Sequence, residues 1–265
     1  MEDFSKYNGK DSILRQMQLR LLDILIEIDK ICRNHDIKYW IDFGSLLGAV
    51  RHSGFIPWDD DLDIAMPKED FERFKKIAPQ EFPDNLFLQT PETDPSFQMP
   101  ILKVRDNNSL FITRHEDFTK EYNKGLYIDI FIVTKYPNVN KKTRKFLLGW
   151  ISKVNWFMGT KHNVTLKNHL AAISFPAIKY SCLFVWKLLC LKPKKQLGYD
   201  VKRYCPYSCA YPKEWIYPLS EVTFEQHRFF APHQPDLYLN SIYPNFMQLP
   251  PEEKRVTHII HVEMH

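Results

Sequence analysis

The sequence predicts a mixed α/β (α+β) core that carries a basic helical insertion, with a C-terminal block packing back on the core. Three observations predict it. Over residues 1–139, short apolar runs with strand alternation are interleaved with stretches of helical spacing. Residues 140–210 change character and become basic, aromatic-rich and helical in pattern. Residues 211–265 are rich in Pro and Tyr and read as loops and short helices wrapping back on residues 1–139.

Composition bounds the class. The chain has 265 residues, 44% hydrophobic and 26% charged, which suits a folded protein with a sizeable core rather than a disordered chain. Gly is scarce, at 8 residues, and no internal repeat is evident. The opening MEDFSKYNGKDS has neither a basic nor an apolar leader region, so it does not read as a secretory signal. Five scattered cysteines, an odd number, argue against a disulfide framework and suit a reducing cytoplasm. The net charge of +4 conceals an asymmetry: residues 140–204 hold 14 Lys or Arg against one acid, Asp200. A block of that kind faces a polyanion, whether substrate phosphate, anionic lipid or nucleic acid.

The elements follow in order. Leu14, Met17, Leu21, Ile24, Leu25, Ile28 and Ile31 recur at three and four, predicting a packing helix over 12–34 with Asp11 or Ser12 as its cap. Lys38–Phe43 reads as a short strand broken at Gly44-Ser45, after which LLGAV begins a helix. Leu62 and Ile64 alternate with Asp61 and Asp63, as on a half-buried strand, and Pro67 opens the next helix. ILKVR at 101–105 and SLFIT at 109–113 flank Asp106-Asn107-Asn108 and predict a hairpin. GLYIDIFIV at 125–133 is a strand, apolar but for Asp129, and PPEEKRVTHII reads as the last helix.

The chemistry lies in Gly44-Ser45, then Asp61 and Asp63, then Asp129. Residues i and i+2 of a strand share a face, with Cα atoms about 6–7 Å apart. Two carboxylates that close repel, and a divalent cation between them is the natural compensation. Asp129, inside an apolar run, also needs a partner; a neighbouring strand would bring it to the same cation, where it can take a proton from an acceptor hydroxyl. Gly44-Ser45 before a helix suits a phosphate cradle, and Arg51, two turns on, can reach the same anion. A bare Asp-x-Asp is usually a solvated turn; here the order turn, helix, acidic strand, hairpin and third acid is the pattern of nucleotidyltransferase-fold enzymes.

WIDFGSLLGAVRHSGFIPWDDDLDIAM at 40–66 resembles the signature of the LicD family, whose members transfer phosphocholine-type groups to bacterial surface glycans and are related to the fukutin-related proteins. GLYIDIF at 125–131 resembles the family's third-acid strand, and residues 224–255 its C-terminal block. No family motif is evident in 140–205. The resemblance implies Asp61, Asp63 and Asp129 as ligands of Mg²⁺ (or Mn²⁺), and Gly44, Ser45 and Arg51 around nucleotide phosphates. It places Asp59 and Asp60 in the same acidic loop, and Lys103 and Arg105 on a basic strand facing phosphate. It implies a CDP-alcohol donor, foremost CDP-choline, with ethanolamine, ribitol or glycerol as alternatives, and a glycan or lipid-linked glycan acceptor. Trp40, Trp58, Tyr127, Trp215 and Tyr217 are candidate faces for a quaternary ammonium. Three positions depart from the family pattern: Gln226 where glycine is usual, Tyr243-Pro244-Asn245 for Tyr-Gly-Asp, and Thr257-His258 for a His pair. All three acids are present, which weighs against a non-catalytic scaffold.

Other candidates are weaker. Cys205 and Cys209 have a tolerable zinc spacing without a second pair, and His258, His261 and His265 would cluster on a helix. Residues 165–191 are strongly apolar but broken by Lys167, Pro176, Lys179 and Lys187, a poor membrane span. They read either as a core helix pair with a solvated basic face or as a segment lying on an anionic membrane. Nucleic acid is not expected, since no recognised binding motif accompanies the basic stretch. The expected location is the cytoplasm, peripheral on the inner face of its membrane.

Overall fold

The computed structural model describes residues 3–97, 101–113, 120–159, 165–191, 195–201 and 210–265. The fold is mixed α/β and divides into two compact units. The first comprises residues 1–132 and 214–265, the second residues 133–213.

The first unit opens with α1 (Ser5–Asn8) and α2 (Ile13–Asn34). Ser12 caps α2 by accepting the Arg15 N–H, and the predicted stripe from Leu14 to Ile31 is buried along its length. Strand β1 (Trp40–Ile41) is shorter than its apolar run because Asp42 stops it. The Asp42 side chain accepts the Phe43 N–H at 2.8 Å and caps α3 (Phe43–His52). Gly44 and Ser45 therefore lie inside the first turn of the helix rather than in a break before it. Strand β2 (Asp63–Pro67) leads into α4 (Lys68–Glu81), followed by β3 (Leu86–Gln89), β4 (Leu102–Asp106) and β5 (Ser109–Thr113). The long strand β6 (Tyr127–Tyr136) starts in this unit, and its last four residues belong to the second.

The first unit's sheet has the order β1-β2-β6-β4-β3, so β6 lies between the acidic strand and β4. Lys103 pairs with Asp129, Arg105 with Tyr127, and Gln89 with Lys103. These antiparallel registers carry the polar residues Gln89, Lys103 and Asp129 across three strands in one row. The expected hairpin does not form. Strand β5 pairs instead with a C-terminal strand, Ile259–Met264, because β4 is already bonded on both edges, to β3 and β6.

Behind β5 sits a buried anchor. Asp106 is 1% exposed, accepts from Arg20 at 2.8 and 3.0 Å, and also receives Asn85 Nδ2 and the Asn108 N–H. Burial raises its pKa, but these donors outweigh burial and hold it below the ordinary value. Its contribution is thus present above the unfolded carboxylate pKa and is lost as pH falls through the lower folded value. Asp106→Asn should cost about 1–2 kcal/mol at pH 7, after allowance for the solvent reaching Arg20. Urea unfolding of wild type and variant at pH 7 and pH 3 tests this: the gap should narrow at the lower pH, and a constant gap would refute it.

The second unit holds α5 (Lys141–Gly159), α6 (Leu166–Leu189), β7 (Gln196–Tyr199) and β8 (Tyr211–Pro212). Strand β7 pairs with Val133–Tyr136 and with β8. Tyr136, Leu147, Leu148, Ile151, Cys182, Trp186 and Val201 form its core, with the Tyr136 and Trp186 rings edge to face at 4.9 Å.

The first unit resumes with α7 (Lys213–Ile216), the β9 (Ser220–Phe224)/β10 (His227–Ala231) hairpin and α8 (Pro235–Ile242), then a single 3-10 turn, Glu252–Lys254, and β11 (Ile259–Met264). The last segment is a strand, not the expected helix, so His258, His261 and His265 do not share a helical face. His258 meets Asp60, while His261 and His265 approach Glu263. The hairpin turn puts Glu225 and Gln226 at φ 50° and 70°. Gln226 thus occupies a left-handed position that glycine adopts without strain.

Candidate active site

The acidic loop Asp59–Asp63 is held from several directions. Gln18, fully buried on α2, donates to the Asp59 carbonyl at 2.9 Å. Ser45 Oγ accepts the Asp63 N–H at 2.8 Å, tying α3 to the start of β2. A Cβ on Gly44 would come within 2.9 Å of an Asp59 carboxylate oxygen, so glycine is what lets that carboxylate approach the first helical turn. The Asp129 N–H donates to the Leu62 carbonyl at 3.0 Å, which sets the third acid beside the loop.

The charges here oppose one another. Burial, then the charges of Asp60 and Asp129, raise Asp61 to about 6, with His258 and Lys103 tempering the rise. Burial first, then Asp61 and Asp129, hold Asp63 well above the usual carboxylate range; burial, Asp61 and Asp60 do the same to Asp59. Lys103, 8% exposed at its side chain, places Nζ 2.5 Å from Asp129 Oδ1 and 3.3 Å from the Tyr127 ring centre. Among the described residues, no three His, Cys, Asp or Glu side chains are already gathered as a metal-ligand set, and Asp129 is engaged by Lys103. The excess of buried carboxylate over nearby cationic charge fits a divalent cation at Asp61 and Asp63, with Asp129 adjoining.

The remaining candidates divide. Arg51 donates to the carbonyls of Phe246 at 2.7 Å and Gln248 at 3.4 Å, so in this structure it clamps the C-terminal block. Arg105 is fully buried, donating to Gln89 Oε1 and the Gly125 carbonyl, each at 2.7 Å, with its guanidinium 4.7 Å from the Tyr127 ring. It shapes the sheet around Lys103. Cys205 and Cys209 lie outside the described residues.

Several supports were not evident from sequence motifs. Tyr238 of α8 donates to Asp42 Oδ1 at 2.9 Å, and Asp60, 2% exposed, accepts the His258 N–H at 2.7 Å. Glu225 takes both Arg15 nitrogens, at 2.9 and 2.6 Å, and fills the space above Gly54. Gln18 carried one readable signal: a polar residue on the apolar face of α2 that must find a buried partner.

Comparison with known proteins decides the family. The family model described as LicD/FKTN/FKRP, nucleotidyltransferase domain, matches residues 36–181, more than half the chain. The chain belongs to the LicD family. The match extends into the basic helical segment and ends within it, at residue 181. The lipopolysaccharide cholinephosphotransferase LicD of Haemophilus influenzae is 28% identical over 263 residues, covering 95% of this chain and 97% of that protein. An uncharacterized protein of Rickettsia prowazekii is 36% identical over 45% of this chain and 41% of its own length. The ribitol 5-phosphate transferase FKRP, in human and mouse alike, is 53% identical over 34 residues, 13% of this chain and 7% of that protein. The chain is a LicD-like phosphotransferase.

Proposed function

We propose that the protein transfers a phosphoryl-linked alcohol, foremost phosphocholine, from a CDP-activated donor to a sugar hydroxyl of a cell-surface glycan or its lipid-linked precursor, acting in the cytoplasm and releasing CMP. The observation that carries this reading is the end-to-end match to a lipopolysaccharide cholinephosphotransferase. The acid cluster of the Asp59–Asp63 loop and β6 supplies the chemistry. Asp61 and Asp63, with Asp129 beside them, would hold Mg²⁺ or Mn²⁺, which when bound supplies positive charge at the donor phosphates.

The chain's own residues do the rest. Asp129, fixed in direction by Lys103, faces the acceptor and takes the hydroxyl proton as the new O–P bond forms and the bond to CMP breaks. Ser45 holds the Asp63 backbone, and Gly44 keeps the first turn of α3 open to the acidic loop. Lys103 also presents a cation beside Asp61, where phosphate charge would gather.

The match to a ribitol 5-phosphate transferase favours a second reading, the same chemistry with CDP-ribitol as donor. Calorimetric titration with CDP-choline, CDP-ribitol, CDP-ethanolamine and CDP-glycerol, each with and without Mg²⁺, separates the two. The expected result is metal-dependent binding of CDP-choline well above CMP. If CDP-ribitol alone binds above CMP, the second reading replaces the first. If no CDP-alcohol exceeds CMP, both donor assignments fall.

A further inference from the structure

The second unit carries a face that the reaction does not use. On α6, Leu166, Leu170, Ile173, Tyr180, Phe184 and Leu188 are each 48–77% exposed, and Leu191, just past the helix, is 79% exposed. At 100° per residue all seven positions fall within about 40° of one direction. The opposite face is occupied. Cys182 and Trp186 are buried, and Phe175 packs on Phe157 at 4.9 Å and on Trp150 at 6.4 Å. A continuous apolar stripe of this length, opposite the side that carries Cys182 and Trp186, marks a surface that something covers.

We infer that this face of α6 lies in the plane of an anionic lipid bilayer, with the stripe in the acyl boundary and lysines at the headgroups. The charge of the segment selects the occupant. Residues 140–204 contain fourteen Lys or Arg and one acid. Lys187 is exposed beside the stripe, and Lys141, Lys142 and Lys145 are exposed on α5. A second copy of the chain would bring the same positive charge against itself, and nucleic acid has no use for seven apolar side chains. The stretch Asn168–Leu189 is long and apolar enough to cross a membrane. A crossing helix, however, would give up its packing on Tyr136, Trp150 and Phe157, whereas a helix lying in the interface keeps that packing and exposes only the stripe. This inference does not depend on which donor the enzyme uses.

Flotation of the purified full chain with vesicles tests it, comparing phosphatidylcholine alone with a phosphatidylglycerol mixture. The protein should float with the anionic vesicles and much less with the neutral ones. Leu170→Glu/Phe184→Glu, at exposed positions, should reduce binding about tenfold or more while far-UV circular dichroism stays unchanged. Lys187→Glu, at the exposed lysine beside the stripe, should weaken binding about fivefold and reduce its salt dependence. No flotation with anionic vesicles, or equal flotation of the Leu170→Glu/Phe184→Glu variant, would overturn the inference. Concentration-dependent self-association of the wild type that the same variant abolishes would overturn it in favour of a second copy.

Discussion

Asp63→Asn should lower turnover of the CDP-alcohol donor by about a thousandfold or more, equivalent to about 4 kcal/mol of transition-state stabilisation, while leaving the protein folded. Asp63 stands at the start of β2, with its N–H on Ser45 and its carboxylate repelled by Asp61 and Asp129. Asparagine keeps the shape and the backbone bond but removes the charge. The metal-free variant should therefore be more stable than the parent, by about 1 kcal/mol. The sign follows from the raised pKa. The folded state is penalised wherever the pH exceeds the unfolded carboxylate pKa, so the gain is largest at neutral pH and shrinks as the pH falls. Asp61→Asn should behave alike. Donor turnover and thermal melts of the same preparations decide the matter: near-normal turnover in either variant would remove these acids from the chemistry. A large loss of stability would instead make them structural.

The second large effect concerns the fold beneath the site. A Cβ on Gly125 would lie 1.9 Å from the Asp106 carbonyl oxygen, and backbone cannot rotate away as a side chain can. Gly125 also offers its carbonyl to Arg105, and Leu126 offers its own to the Asp106 N–H at 2.8 Å. Gly125→Ala must push β4 and the start of β6 apart, where Lys103 meets Asp129. The cost should be about 3 kcal/mol, a fall in melting temperature of about 6–12 °C for a chain of this size. A melting temperature within 2 °C of the parent, roughly the shift expected for less than 1 kcal/mol, would show that the strands yield without strain.

How far the sequence was readable depended on the distance over which each feature is specified. Helix α2 was legible because its stripe and its Ser12 cap are local. Asp129 was legible because an ionisable residue within Ile128 and Ile130 has to be explained. Its partner Lys103 was not, since cross-strand register is set by packing and leaves no mark in either strand alone. The same limit explains β5. Asp106-Asn107-Asn108 has good turn chemistry, yet the strand after it joins β11, far along the chain, and His258, His261 and His265, in and around β11, have spacings of three and four that read as helix. Arg51 and Arg105 illustrate a different gap. An arginine near a phosphate motif invites an anion, but nothing local reveals that Phe246, Gln89 and Gly125 also offer these two side chains carbonyl and amide oxygens.

The acidic loop and α3 are fastened by Glu225, Tyr238 and His258, all from the last stretch of the chain. A nascent chain therefore has its three acids synthesised long before the contacts that seat them. The second unit, continuous in sequence, can condense while the first is still waiting for its closing segment. Activity is in this sense gated by the synthesis of residues 225–258: a product interrupted between Asp129 and Glu225 carries every acid of the candidate site, yet lacks the fastening that makes them one.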